Sequence, residues 1–342
     1  MTSDESARMI PLMPAYGLKP SVPDNSPQSA FSARRPASPG SGLRVDLLLL
    51  SVILIWGMHF PILKSMYAYF EPFAFTLLRF SIASSILVFI LKLRGLPLGV
   101  DRADLPALTG LAVLSNTLYQ VLFNTGLVHT KAGNAALLGA AAPIFAYLTG
   151  ILLKREWYRH RVLVGILLSI AGASVIVLFG AQEIALGANW RGDVMILASA
   201  LCWGGYTGAA ARMVIKYGAL RLTVWIMVIG TALMIPPFLP AMLHQNWLAV
   251  PLVGWLGLSY STFLSIVYCY LIWSFALQHI GVSRTAVYSN LTPIVAMLGG
   301  WLILGERPAL AQFAGVVLIL GGVYIVRSKK SAYSPMDPRL KG

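Results

Sequence analysis

The residues whose types and spacing bear on chemistry all lie inside apolar sequence: one histidine, one arginine, a stripe of amides and a set of aromatic rings. His59 has a side chain that titrates near physiological pH in its unperturbed state, which makes it the first candidate for proton coupling. Arg79 offers a fixed fork of donors, and both structural hydrogen bonding and recognition of a substrate carboxylate are open to it. Asn116, Gln120 and Asn124 recur at helical spacing beside Tyr119, so this polar stripe must face other helices or water. Trp56 and Trp203 are each followed three residues later by a polar ring, His59 and Tyr206. Tyr268 belongs to a hydroxyl-rich stretch from Ser261 to Ser274, and Tyr288 and Ser289 fall on another with Thr285 and Thr292. Together they describe a pocket for a small amphipathic or zwitterionic solute, with rings taking apolar or cationic groups and amides or hydroxyls setting orientation.

Covalent chemistry has no such support. The five histidines, His59, His129, His160, His244 and His279, show no metal-ligand spacing with Glu or Cys. Gly-rich phosphate loops, nucleophile elbows and paired intramembrane carboxylates are missing from the sequence, which argues against an enzyme or an ATP-driven pump and calls for no cofactor. Cys202 and Cys269 read as small buried hydrophobes.

These residues must be positioned by membrane helices. Hydrophobic residues are 57% of the 342 positions and charged ones 11%, a balance far from that of a soluble domain. Runs long enough to span a bilayer fall near 46–66, 72–92, 104–126, 132–153, 161–180, 193–213, 220–241, 250–277, 282–304 and 309–327. The expectation is an all-α polytopic membrane protein with ten transmembrane helices.

The ten helices form two related sets of five. One offset carries Leu127 to Leu277, His129 to His279, Pro143 to Pro293, Glu156 to Glu306, Gly165 to Gly315 and Gly172 to Gly322. A slightly shorter offset carries Asp46 to Asp193, Trp56 to Trp203 and Gly57 to Gly204, the difference being a loop insertion. Five helices per copy is an odd number, so the second copy must be inverted relative to the first, as in transporters that work by alternating access. The expected organisation is a Pro/Ser/Ala-rich disordered tail at 1–44, repeats at 45–181 and 190–328, and a short tail at 329–342.

Most of the 26 Lys and Arg residues fall in alternate loops and the two tails, leaving Lys64, Lys131, Arg191 and Arg307 on the opposite side. The positive-inside rule then places both termini in the cytoplasm. The formal net charge of +14 is thereby a topology signal, with no nucleic-acid-binding fold to accompany it.

The stretches Trp56-Gly57-Met58-His59-Phe60-Pro61, Leu77-Leu78-Arg79-Phe80, Ala142-Pro143-Ile144 and Thr292-Pro293-Ile294, with Glu156, Gly305-Glu306 and the paired glycines, resemble the EamA family of the drug/metabolite transporter superfamily. The resemblance covers about residues 46–327 and implies a ten-helix exporter of small metabolites in a bacterial inner membrane, with amino-acid exporters as the nearest model. The second copy departs from it by having no arginine within 222–234 to match Arg79. Glu156 and Glu306, at the ends of the fourth and ninth helices, are gate or loop-anchoring candidates. Pro143 and Pro293 should kink those helices at symmetric places. The glycines of the fifth and tenth helices are expected to serve packing or dimer contact, and a monomer and a homodimer both fit. A drug or amphiphile exporter, a lipid flippase and an intramembrane enzyme are the alternatives.

Overall fold

The computed structural model describes residues 41–130, 132–180, 186, 190–304 and 308–328. Expectations for residues 1–40 and 329–342, and for Lys131, Glu306 and Arg307, lie outside them. Among the described residues the secondary structure is helical throughout.

Ten membrane helices follow one another among the described residues. They are α1 (Ser41–Met66), α2 (Pro72–Leu93), α3 (Arg102–His129), α4 (Asn134–Leu152), α5 (His160–Leu178), α6 (Trp190–Tyr217), α7 (Ala219–His244), α8 (Leu252–Ile280) and α10 (Leu310–Arg327), with α9 in three consecutive pieces, Val282–Ala286, Val287–Leu291 and Thr292–Leu304. Eight of them are individually long and apolar enough to cross a bilayer. Local chemistry sets the boundaries. At α2, Glu71 caps the first turn by accepting from the amides of Phe73 and Ala74 at 2.8 Å each, and Pro72 occupies a position where its missing N–H costs nothing.

Breaks recur at repeat-related places. In α4 the helix lapses at Ala140 and Ala141 and resumes at Ala142; in α9 a 3₁₀ segment ends at Leu291 and the helix resumes at Thr292. Pro143 and Pro293 thus sit in the first turn after each break rather than at a kink within it, because proline fits a first turn but removes a hydrogen bond further in. α3 and α8 each contain a π-helical segment, Val113–Thr117 and Tyr260–Tyr268. Within or beside them Ser115 and Thr262 turn their hydroxyls back onto Leu111 O (2.8 Å) and Leu258 O (2.7 Å).

Close packing rests on glycine. A Cβ added at Gly172 would lie 2.6 Å from Gly315 O, and one added at Gly315 would lie 2.7 Å from Gly172 O; Gly165 and Gly322 abut in the same manner. The pairing of 165 with 322 and 172 with 315 makes α5 and α10 antiparallel neighbours within one chain. Gly204 meets Ala142 O and Phe145, while Gly57, its counterpart, meets Thr292 O and Val295. Exchanging the two copies maps each of these contacts onto the other.

Gly172→Ala should cost about 1–3 kcal/mol, because the obstructing atoms are backbone. Gly110→Ala, where a Cβ meets nothing within 4 Å, should not. Thermal unfolding in detergent checks the pair: a lower midpoint for the first alone is expected, and equal midpoints would refute the packing argument.

Candidate functional site

Between the two sets of helices lies a cavity of about 750 Å³, within the usual range for a small-molecule site. Its lining comes from the middle of the bundle and from the half nearest Asp193: Ser65 of α1, Leu127 of α3, Ala135 of α4, Gly180 after α5, Ile196 of α6 and Gln312 of α10 all contribute.

Arg79 lines the cavity from α2 while being only 2% exposed. One terminal nitrogen donates to Gln120 Oε1 at 3.0 Å and the other reaches His59 Nε2 at 3.3 Å. A guanidinium can only donate, so His59 accepts at Nε2, is neutral and carries its proton on Nδ1. Ser261 Oγ stands 3.1 Å from the same nitrogen. The guanidinium carbon lies 5.4 Å from the Phe75 ring centroid and 5.5 Å from that of Phe80, within cation–π range. Its Nε has no hydrogen-bond partner, and no carboxylate pairs with Arg79 among the described residues.

Aromatic rings form much of the remaining wall. Trp56 and Trp203 meet edge to face at 5.4 Å, Trp203 meets Tyr270 at 5.4 Å, and Tyr119 joins Trp203 at 5.7 Å. Both π-helical segments serve this wall. The carbonyl of Ser265 accepts from Trp56 Nε1 at 3.0 Å, and that of Ser115 accepts from the Tyr270 hydroxyl at 3.3 Å. Bonds of this kind fix ring orientation.

Of the residues expected at the site, Trp56, His59, Tyr119, Gln120, Trp203 and Ser289 line the cavity, as do Arg79 and Pro293. Asn124 is spent on structure, accepting from Tyr67 at 2.9 Å and donating to Thr76 at 3.0 Å. Tyr206 is buried behind Trp203, and Tyr268 bonds Ser51 at 2.7 Å. Pro143 is buried and does not line the cavity. Ser199 and Gln312, which the sequence did not single out, line it, as does Tyr270, which the sequence placed in the hydroxyl-rich stretch but not at the site itself. The signal that would have assigned Tyr270 to the site is the repeat offset, which carries Gln120 onto it.

Tyr288 and Glu156 belong to the far end of the bundle. There Asp46 of α1 pairs with Arg327 of α10 and accepts from Tyr288 at 2.8 Å. Glu156, in the α4–α5 loop, accepts from the amide of Ser283 at 2.9 Å and from its hydroxyl, holding the start of α9. Lys216 and Tyr217, at the end of α6, converge on Asp104 at 2.5 Å each, and Lys216 also meets Asp101. Each tie joins an element before residue 181 to one after 190. At the other end Asp193, the counterpart of Asp46, accepts from Thr130 at 2.5 Å and Asn134 at 2.9 Å.

The model of the EamA-like transporter family matches twice, over residues 43–178 and 190–328. The chain belongs to the EamA-like transporter family. This EamA-like chain is 30% identical to an uncharacterized transporter of Archaeoglobus fulgidus, over 83% of its own length and 99% of that protein. It is 28% identical to a probable terminal-alkyne amino-acid exporter of Streptantibioticus cattleyicolor, covering 82% and 92% of the two chains, and 28% identical to a probable amino-acid metabolite efflux pump of Escherichia coli, covering 82% and 93%. One solved crystal structure shares the fold with a TM-score of 0.70 and 19% identity, over 83% of this chain and 96% of that one. By its family and its long apolar helices, this chain is a multi-pass membrane protein of a transporter family.

Burial of the Glu156 carboxyl pushes its pKa above the ordinary glutamate value, against the opposing pull of Ser283 and Arg159. A raised native pKa means the folded protein binds the proton more tightly than the unfolded chain does. Stability should therefore fall as pH rises from the ordinary value, about 4.3, through the raised one. In Glu156→Gln that component should vanish. Thermal midpoints measured across pH check this, and an unchanged pH profile in the variant would contradict it.

Proposed function

We propose that this protein is a secondary transporter that exports small carboxylate-bearing metabolites, amino acids and their relatives foremost, from the cytoplasm of a bacterial cell across the inner membrane. The observation that carries the reading is the buried Arg79 guanidinium, which lines a central cavity and lacks a carboxylate partner among the described residues. A buried cation of this kind is costly until an anion meets it, and in a membrane cavity that anion is supplied by cargo. The names of the Streptantibioticus and Escherichia relatives, both concerned with amino acids, support the substrate class.

Transport proceeds by alternating access between two inverted five-helix repeats, at about 45–181 and 190–328. The exchange of contacts on passing from one copy to the other, as in Gly57 with Thr292 and Gly204 with Ala142, supports the inversion. Both termini are cytoplasmic by the distribution of Lys and Arg. The Asp46 end then faces the cytoplasm and is held shut by ties between the repeats, while the cavity extends toward the periplasm. This is an outward-facing arrangement. To load cargo, the protein must break the Asp46–Arg327 pair and close the Asp193 half. The α5–α10 glycines are consumed within the chain, so they give no reason to expect a dimer through that face.

His59 is the candidate coupling residue, and its geometry sets the direction of any coupling. A cargo carboxylate that draws Arg79 away leaves Nε2 free to take a proton, so anion and proton bind together rather than compete. Coupling through His59 therefore predicts co-transport. Exchange of an inward proton for outward cargo would require a different group.

Uptake of a labelled panel of amino acids and other carboxylic metabolites into proteoliposomes tests the function, with and without an imposed pH gradient. Saturable uptake of carboxylates is expected, and any gradient effect should disappear in His59→Ala. Correctly inserted protein that moves none of the panel would overturn the reading. Cross-linking an Asp46→Cys, Arg327→Cys pair should arrest turnover reversibly; unimpaired transport with the pair locked would refute the gate.

A further inference from the structure

The cavity has a charge balance that narrows its ligands further. Among the described residues that line it, Arg79 is the one fixed charge: the wall holds no Asp, Glu or Lys, and His59 is neutral in this arrangement. The Arg79 guanidinium lies within cation–π range of both the Phe75 and Phe80 rings, with its Nε unpartnered. Over its described lining residues the cavity is therefore a site of net positive charge.

Three kinds of ligand meet this charge differently. A monoanionic carboxylate brings the site to neutrality through charge-assisted hydrogen bonds. A zwitterion leaves the net positive charge in place and adds an ammonium with no counter-ion, offset only by ring faces. A cation doubles the charge.

The hydroxyls of the wall point the same way. Ser65, Ser199 and Ser289 donate their protons to Ile62 O (2.8 Å), Ile196 O (2.7 Å) and Ala286 O (2.7 Å) of their own helices. What these hydroxyls have left is lone pairs. They can accept a hydrogen bond from a neutral N–H such as an amide, but they cannot neutralise an ammonium. Trp56, Trp203 and Tyr270 supply flat apolar faces for the rest of the ligand.

We propose that the cavity selects small monoanionic carboxylates with a flat apolar body and a neutral nitrogen, such as N-acylated aromatic amino acids, over the free zwitterionic amino acids. The proposal rests on the transport reading for its biological meaning and narrows it, placing amino-acid derivatives that lack a free ammonium ahead of the free amino acids. The selectivity itself belongs to the cavity and is measurable as binding. Arg79 is the specificity-determining residue, and the absence of a carboxylate among the described wall residues is what disfavours the amine.

Three ligands that share one ring test it: N-acetylphenylalanine, phenylalanine and phenethylamine, an anion, a zwitterion and a cation at neutral pH. Their binding to the purified full chain can be followed by tryptophan fluorescence, since Trp56 and Trp203 line the cavity. The expected order is anion, zwitterion, cation, with about tenfold or more between the first two, equivalent to about 1.4 kcal/mol. Arg79→Lys should keep the order with weaker binding, because the charge stays while the fork is lost. Arg79→Gln should abolish the anion's advantage. Equal or tighter binding of phenylalanine to the wild type, or no binding of any of the three, would overturn the proposal without recourse to a variant. If the order is found but proteoliposomes move none of the three, the selectivity stands and the transport reading falls.

Discussion

A guanidinium held in the middle of a membrane bundle, with no carboxylate beside it among the described residues, is the constraint on which the rest of this structure depends. Arg79 could not persist there on hydrophobic packing alone. Two aromatic faces, one amide oxygen and one imidazole nitrogen soften its desolvation without neutralising it. The surrounding architecture serves the same end. The π-helical segments of α3 and α8 turn the Ser115 and Ser265 carbonyls toward Tyr270 and Trp56, and those rings wall the space that an anion would fill.

The site lies where the two copies of the sequence meet, and the same copies meet again at both ends of the bundle. Asp46 and Asp193 are counterparts, and each ties helices together at its own end of the bundle. Asp46 pairs with Arg327 and accepts from Tyr288, while Asp193 accepts from Thr130 and Asn134. Glycine contacts at backbone distance join α5 to α10, and packing this close leaves those helices little room to deform.

Much of the fold was legible in the sequence because bilayer thickness and the Trp-Gly, Pro and Glu matches constrain it strongly. The helix count and the equivalence of Trp56 and Trp203 followed from them, and His59 and Gln120 were each legible as polar side chains inside apolar helices. What was not legible was which face of each helix looks inward. In a soluble protein the polar face marks the outside, but lipid and protein core are equally apolar, and a polar residue in a membrane helix serves packing or a cavity with the same signature. Asn124 and Gln120 lie one turn apart, yet one holds helices together and the other meets Arg79. Tyr288 looked like a pocket residue and instead braces Asp46. Breaks in α4 and α9 were expected at Pro143 and Pro293, whereas each lies just before its proline, since the ring is tolerated in a first turn.

The most direct test of the unpaired cation compares the empty protein with Arg79→Met by thermal unfolding in detergent, with and without a saturating aromatic carboxylate. If the guanidinium awaits an anion, the ligand-free variant should unfold at the same temperature as the wild type or higher, and the carboxylate should stabilise the wild type only. A variant that is clearly less stable when empty, or one that the carboxylate stabilises as much as the wild type, would mean that Arg79 is a structural residue and that the anion binds elsewhere.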